Sequence, residues 1–280
     1  MSKHTKPQVS IITPYLNAYR FIDEFVRSII SQEYQHWICI LIDDGSTDDS
    51  SSKLQSLTYT DQRFLLTKTP FNSGKGPASA RNHGLSLAKT EFVAFCDIDD
   101  VWHPQKLRRQ LAYHEKHCLD LSVTGYYRFV ENQQRSVSLL PICPPVRLQQ
   151  NLCYRPNPIP MLTAVCKTSF ITHKFRSVNH EDFLFWIENI RSSPNFRYGC
   201  LTDGLAFYRC HQNNLTKNRF ILPLWSYKVF RLSGLNSIES CWALICWFSG
   251  HLALSLRTGS FRRITVTSLN SFQDVLTLRR

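Results

Sequence analysis

Short apolar runs alternate with helix-spaced segments over the first 110 residues, and this alternation limits the fold more than any other feature of the chain. Val9–Thr13 is β-branched and stops at Pro14, as a strand buried on both faces would. Phe21, Ile22, Phe25, Val26, Ile29 and Ile30 then recur at the spacing of one helical face. Trp37–Ile42 predicts a second strand, Arg63–Thr67 a weaker third and Phe92–Cys96 a fourth. Helices are expected after Asp48 or Asp49, over Ala78–Ala88, and from Pro104 to about His117. Such alternation implies an α/β fold, a mostly parallel sheet flanked by helices. Ligands of these sheets bind beyond the carboxyl ends of the strands. Three polar clusters fall at such ends: Thr13–Asn17, Asp43–Ser46 and Asp97–Asp100.

The third cluster, Asp97-Ile98-Asp99-Asp100, holds three carboxylates in four positions directly after an apolar strand. Their mutual repulsion calls for a cation, and oxygen-only ligands suit Mg²⁺ or Mn²⁺. Taken alone, the same residues would also serve as an acidic helix entry. Asp43-Asp44-Gly45-Ser46 can read a base or ribose hydroxyl, or be an ordinary strand-to-helix turn. Asn72–Arg81 offers glycines, Lys75 and Arg81 for phosphate neutralisation, but has neither the Walker A spacing nor a dinucleotide G-x-G-x-x-G between strand and helix.

Past Leu121 the pattern loosens, and the prolines of 141–160 predict loops. Asp182–Ile190 reads as a short amphipathic helix with acids at its start. The formal charge is +12, and from Leu205 to Arg280 ten Lys/Arg face two acids. That surface draws anions such as lipid headgroups or phosphorylated substrates; no zinc-finger, homeodomain or RNP pattern accompanies it, which disfavours nucleic acid. Cys241–Leu256 is apolar but 16 residues long, under the roughly 20 a membrane span needs. A buried helix is expected, or one resting peripherally on an anionic membrane face. Ten cysteines without a C-x-x-C pair, after a polar start, predict reduced thiols and a cytoplasmic chain, peripheral on the inner face of the plasma membrane if that helix docks.

The runs at residues 9–32, LIDDGSTDDS and GPASARNHGLSLAKTEFVAFCDIDDVWHPQKL resemble the donor-binding half of family 2 glycosyltransferases of the GT-A fold. The likeness resumes at His180-Glu181-Asp182 and at Tyr208-Arg209-Cys210-His211, and the tail after Pro223 is similar to teichuronic-acid and O-antigen type members. It implies an inverting transferase with a nucleotide-sugar donor, of UDP type, and a glycan or lipid-linked acceptor of the cell envelope. Thr13, Pro14, Tyr15, Asn17, Asp44, Lys75, Arg81 and Asp97 would bind the nucleotide sugar. Asp97, Asp99, Asp100 and His211 would hold Mn²⁺ or Mg²⁺, although His211 would also suit a structural role. Asp182 would be the general base, with Glu181 its rival and His180 beside the acceptor. The expected division is a tail at 1–8, a donor subdomain at 9–116, an acceptor and base subdomain at 117–222, and a basic, helical extension at 223–280. Two other readings compete. A nucleotidyltransferase needs a Gly-rich basic loop after the first strand, where this chain has Thr13–Asn17; an inactive glycan- or membrane-binding relative would not need the acids retained here.

Overall fold

The structure, a computed structural model, describes residues 8–70, 76–130, 136–138, 141–148, 156–210, 221–258 and 263–265. Strands β1 (Val9–Tyr15), β2 (Trp37–Asp43), β3 (Phe64–Lys68) and β4 (Phe92–Phe95) pair in parallel in the order β4-β1-β2-β3. Helices α1 (Ile22–Ile30), α2 (Ser50–Thr58) and α3 (Pro77–Leu87) connect them. Alternate residues of each strand enter opposite layers, because side chains along a strand alternate faces. Val9, Ile11, Cys39, Leu41, Phe92 and Ala94 pack with α1 in one layer. Ile12, Ile40, Ile42, Val93 and Phe95 pack with α3 in the other.

β1 runs two residues past the expected stop, through Pro14 and Tyr15. Its partner β4 has ended by then: their register closes at Ile12 and Phe95, so Pro14 needs no bond on that side. α4 (Lys106–Lys116) starts two residues after Pro104. The Pro104 carbonyl accepts Glu33 N–H at 2.8 Å, and the His103 carbonyl accepts Gln32 Nε2 at 2.9 Å, which ties this stretch to the end of α1.

Beyond α4 the sheet becomes mixed. β6 (Leu121–Val130) and β9 (Tyr198–Cys210) are a long parallel pair, while β8 (Val165–Lys167) lies antiparallel between β4 and β6. β5 (Val101–Trp102), a strand the periodicity does not predict, pairs antiparallel with β9 directly after the acidic turn. β7 (Ser136–Ser138) and β10 (Arg263–Thr265) extend the far edge. One sheet therefore crosses the expected boundary at residue 116 without a break.

α5 (Glu181–Arg191) is buried on most of its circumference rather than amphipathic. Phe95 on β4 meets Phe175, Phe185 and Trp186 edge-on at centroid distances of 5.7, 6.1 and 6.1 Å, and Phe183 meets Phe230 at 6.2 Å. Sandwiched between sheet and α6 (Leu222–Leu232), α5 has little room to shift. α6 and α7 (Ser237–Thr258) form a hairpin whose inner residues Val229, Phe230, Ala243 and Trp247 join the same core. Among the described residues no helix is long and apolar enough to cross a membrane, and the described cysteines are free.

Close packing of α3 on the sheet carries a test. A Cβ on Gly84 would lie 2.7 Å from Ile12 Cγ2 and 3.0 Å from Ile42 Cδ1. Gly84→Ala should destabilise by about 1–2 kcal/mol, overpacking outweighing the better helix propensity of alanine. The midpoint of urea unfolding measures this.

Candidate functional site

The polar ends of β1, β2 and β4 and the start of α5 meet at one rim of the sheet. Arg81, on α3, lies between them with only 5% of its surface exposed. Its Nη1 donates to Glu181 Oε1 at 2.7 Å and its Nη2 to Asp97 Oδ1 at 2.8 Å. Burial opposes the guanidinium charge, but Asp97 and Glu181 more than offset it and hold the pKa above the ordinary value. A fork with two separate acceptors suits arginine and not lysine. Arg81, expected to lie against the nucleotide, joins the acidic turn to the first residue of α5.

Asp182 follows directly. Its Oδ2 accepts Asn157 Nδ2 at 2.7 Å, and its Oδ1 accepts Phe183 N–H at 2.8 Å. Asn157 is itself held, accepting Ile159 N–H at 3.1 Å. Burial raises the Asp182 pKa, and the nearby Arg81 charge offsets only part of the rise. Glu181 is also raised by burial, with Arg81 opposing and Asp182 adding to the shift. The two acids differ in partner: Glu181 faces a cation, whereas Asp182 faces a neutral amide. Preceding them, His180 adopts the left-handed conformation at φ 58°, and its ring lies 5.6 Å from that of Trp225 on α6. Asn17 at φ 49° is also left-handed, so two of the three such non-glycine residues among those described lie at this rim. Such backbone strain tends to gather where function needs a fixed geometry.

In the acidic turn, Asp97 and Asp99 are partly exposed while Asp100 is buried. Asp100 Oδ1 accepts Arg209 N–H at 3.0 Å, and Arg209 Nε donates to the Asp99 carbonyl at 2.7 Å. Burial and the charges of Asp99 and Asp97 raise the Asp100 pKa well above the carboxylate range. Asp100, expected as a ligand, thus faces β9 and braces the turn. Arg209 also pairs with Glu24 of α1 and stands over the rings of Phe21 and Phe129 at 5.1 and 4.6 Å. Among the described residues no three His, Cys, Asp or Glu side chains form a ready metal cage. Two partly exposed carboxylates, Asp97 and Asp99, fit a divalent ion that takes its other ligands from diphosphate oxygens and water. Lys75 and His211 lie outside the described residues.

At the end of β2 two adjacent acids part ways. Asp43 turns toward α2, accepting Gly45 N–H, Ser46 N–H and Ser51 Oγ at 3.1, 2.7 and 2.7 Å. Burial would raise its pKa, yet these donors outweigh it and hold Asp43 below the ordinary value. Asp44 turns toward α3, where Oδ2 accepts Gly76 N–H at 2.6 Å. Among the described residues its Oδ1 is buried with no donor. Thr13 and Tyr15, on the Asp43 side, are turned inward. Thr13 Oγ1 lies 4.0 Å from Cys39 Sγ, and Tyr15 Oη lies 3.1 Å from Ser51 Oγ. Pro14 is half-buried between them. Asn17 fastens the first loop to the second: its Oδ1 accepts Thr47 N–H at 2.8 Å and its N–H donates to Ser46 Oγ at 3.1 Å.

Comparison with known proteins follows the same outline. The profile described as Glycosyl transferase family 2 matches residues 10–183. The putative teichuronic acid biosynthesis glycosyltransferase TuaG of Bacillus subtilis is 29% identical over 248 residues, covering 86% of this chain and 94% of its own. The Escherichia coli enzyme WfgD, a UDP-Glc:alpha-D-GlcNAc-diphosphoundecaprenol beta-1,3-glucosyltransferase, is 29% identical over 217 residues, covering 76% and 81%. Among solved structures, residues 1–349 of S. aureus TarS in complex with UDP-GlcNAc superpose with a TM-score of 0.67 at 21% identity, covering 90% of this chain and 74% of that one. The mannosyltransferase PcManGT of Pyrobaculum calidifontis, in complex with GDP-Man and Mn²⁺, gives 0.63 at 16% identity, covering 99% and 80%.

Proposed function

Since the chain belongs to glycosyl transferase family 2 and has the GT-A fold, we propose that it moves a sugar from a UDP-sugar to an acceptor hydroxyl with inversion at the anomeric carbon. The supporting observation is the Arg81 bridge, which ties the acidic turn to Glu181, the residue next to Asp182. Asp182 takes the acceptor proton as the acceptor oxygen forms its bond to the anomeric carbon. The bond from that carbon to the diphosphate breaks on the opposite side, and the nucleoside diphosphate leaves with the electron pair. Displacement from the opposite side inverts the centre.

Asp44 Oδ1 accepts an N–H from the base, and Asn157 keeps Asp182 oriented. Arg81 faces the leaving group as positive charge, though shared with two carboxylates. Asp97 and Asp99 would hold Mn²⁺ or Mg²⁺, which when bound would supply Lewis-acid stabilisation of the leaving diphosphate. The teichuronic-acid and diphosphoundecaprenol relatives favour a lipid-linked acceptor in envelope polysaccharide synthesis, reached from the cytoplasmic side.

Titration calorimetry tests the donor site. UDP should bind in the presence of Mn²⁺, and EDTA or Asp99→Ala should weaken binding at least about tenfold, since each removes charge neutralisation at the diphosphate. Binding of UDP that ignores both treatments would overturn the metal assignment. Incubation with a UDP-sugar and acceptor should release UDP; release of inorganic diphosphate would point instead to nucleotidyl transfer.

A further inference from the structure

The outer side of the α6–α7 hairpin is built unlike the rest of the surface. On α7, Ile238, Trp242, Ile245 and Phe248 are 82%, 59%, 58% and 51% exposed. Their spacing of four, three and three places them along one helical stripe, opposite Ser240, Ala243 and Trp247, which face the core. Cys241 and Ser249 are the other exposed residues on that face; the exposed Glu239, in the first turn, lies to one side of the stripe and accepts Asn236 N–H at 2.8 Å. On α6, Leu224, Lys228 and Arg231 are exposed at the same kind of spacing, opposite the buried Ser226, Val229 and Phe230. Both helices press their inner faces on one core and pack against each other, so their outer faces both point away from it. Arg191, at the end of α5, adds a third exposed cation by donating to the Ser233 carbonyl in the hairpin turn.

We infer that this face is a docking surface for an anionic membrane. α7 lies in the plane of the interface with its stripe among the upper acyl chains. Lys228, Arg231 and Arg191 meet the phosphate headgroups. The pairing of an apolar row with a cationic row is what an interfacial helix needs, and the acid-poor stretch from Leu205 onward, with ten Lys/Arg against two acids, matches the negative sign of such a lipid surface. A second copy of the chain fits less well, because a contact of α7 on α7 would leave the cationic row of α6 without an anionic counterpart.

The surface is also fastened to the site. A Cβ on Gly250 of α7 would lie 2.7 Å from Pro156 Cδ, and the next residue, Asn157, holds Asp182. Trp225 of α6 meets His180 at the start of α5. Docking would therefore set the height of the site above the lipid, where a lipid-linked hydroxyl is found. That last step rests on the proposed function; the docking itself does not.

Co-sedimentation of the full chain with phosphatidylcholine vesicles, with and without 30% phosphatidylglycerol, tests it. Binding should be at least about tenfold stronger to the anionic vesicles and fall with added salt. Trp242→Ser combined with Ile245→Ser and Phe248→Ser should abolish it, and Lys228→Glu with Arg231→Glu should remove the preference for phosphatidylglycerol. Both sets change exposed side chains, so melting and Mn²⁺-dependent UDP binding should match wild type, which separates loss of docking from loss of the donor site. Wild type that fails to pellet with anionic vesicles, or a triple variant that pellets as well as wild type, would overturn the inference. So would sedimentation velocity showing a wild-type dimer that the triple variant dissolves, since the face would then belong to a second copy.

Discussion

Asp182→Asn should lower kcat for sugar transfer about 10²–10⁴-fold, while Mn²⁺-dependent UDP binding should stay near wild type. The amide has nearly the shape of the carboxylate but cannot take the acceptor proton. Only the chemical step should suffer, because Asp182 reaches Asn157 and Phe183 rather than the acidic turn. Stability should barely move: one hydrogen bond to the side chain weakens, but a half-buried charge disappears. Linkage fixes the sign of that second effect. The folded-state pKa of Asp182 is raised, so ionising it disfavours the fold, and its contribution to stability declines as pH climbs from the ordinary carboxylate pKa through the folded one. Asp182→Asn should flatten this part of the stability-versus-pH curve. In wild type the base must be ionised, so the acidic limb of kcat/KM should lie above the ordinary aspartate value of about 3.9. Asn157→Ala should move that limb further up, because a donor that favours the carboxylate is lost. Normal transfer by Asp182→Asn would remove it from the base role.

Arg81→Met should be the most destabilising single change at the rim and should also silence the enzyme. It leaves Asp97 and Glu181 facing one another without the cation that joined them. Breaking a buried pair from one side costs about 3–5 kcal/mol, and the lower end applies here because the Asp97 side chain is 37% exposed and water takes over part of its charge. A loss near 3 kcal/mol lowers Tm by about 6–10 °C for a chain of this size. The penalty requires both carboxylates to be ionised. Without Arg81 the folded Glu181 pKa rises further above its unfolded value, so the deficit is smallest at acid pH and grows as pH rises through the folded pKa. Melting curves of both proteins at pH 5 and pH 8 should show the gap widening at the higher pH. Arg81→Lys should recover only part of the loss, since one ammonium replaces a two-armed fork.

The first 116 residues were readable because their strands are buried on both faces, which leaves unbroken apolar runs ending in polar clusters. All four expected strands are present within two residues of their expected bounds. Strand parity could have separated Asp43 from Asp44: Cys39 and Leu41 enter one layer and Ile40 and Ile42 the other, and the two acids follow suit. It could likewise have shown Thr13 and Tyr15 turning inward with Val9 and Ile11. Asn157 carried no such signal. It sits in a proline-rich loop without periodicity, and its partner is 25 residues away. Arg209 belonged to a recognised segment, but its contacts with Glu24 and Asp100 span 185 and 109 residues and leave no local trace. Strands β6 and β9 were hidden by their polar and glycine residues, which pairing tolerates and a propensity reading does not.

Continuity of the sheet past residue 116 has a consequence for how this protein can be divided. β4 has β1 on one side and β8 on the other, and β8 comes from a part of the chain more than sixty residues later. A fragment cut at the apparent boundary would expose the backbone donors and acceptors of Phe92–Ala94 along an apolar edge, which invites stacking of one copy on another. The segments on either side of residue 116 are therefore one cooperative folding unit, not modules that recombination could exchange at that seam.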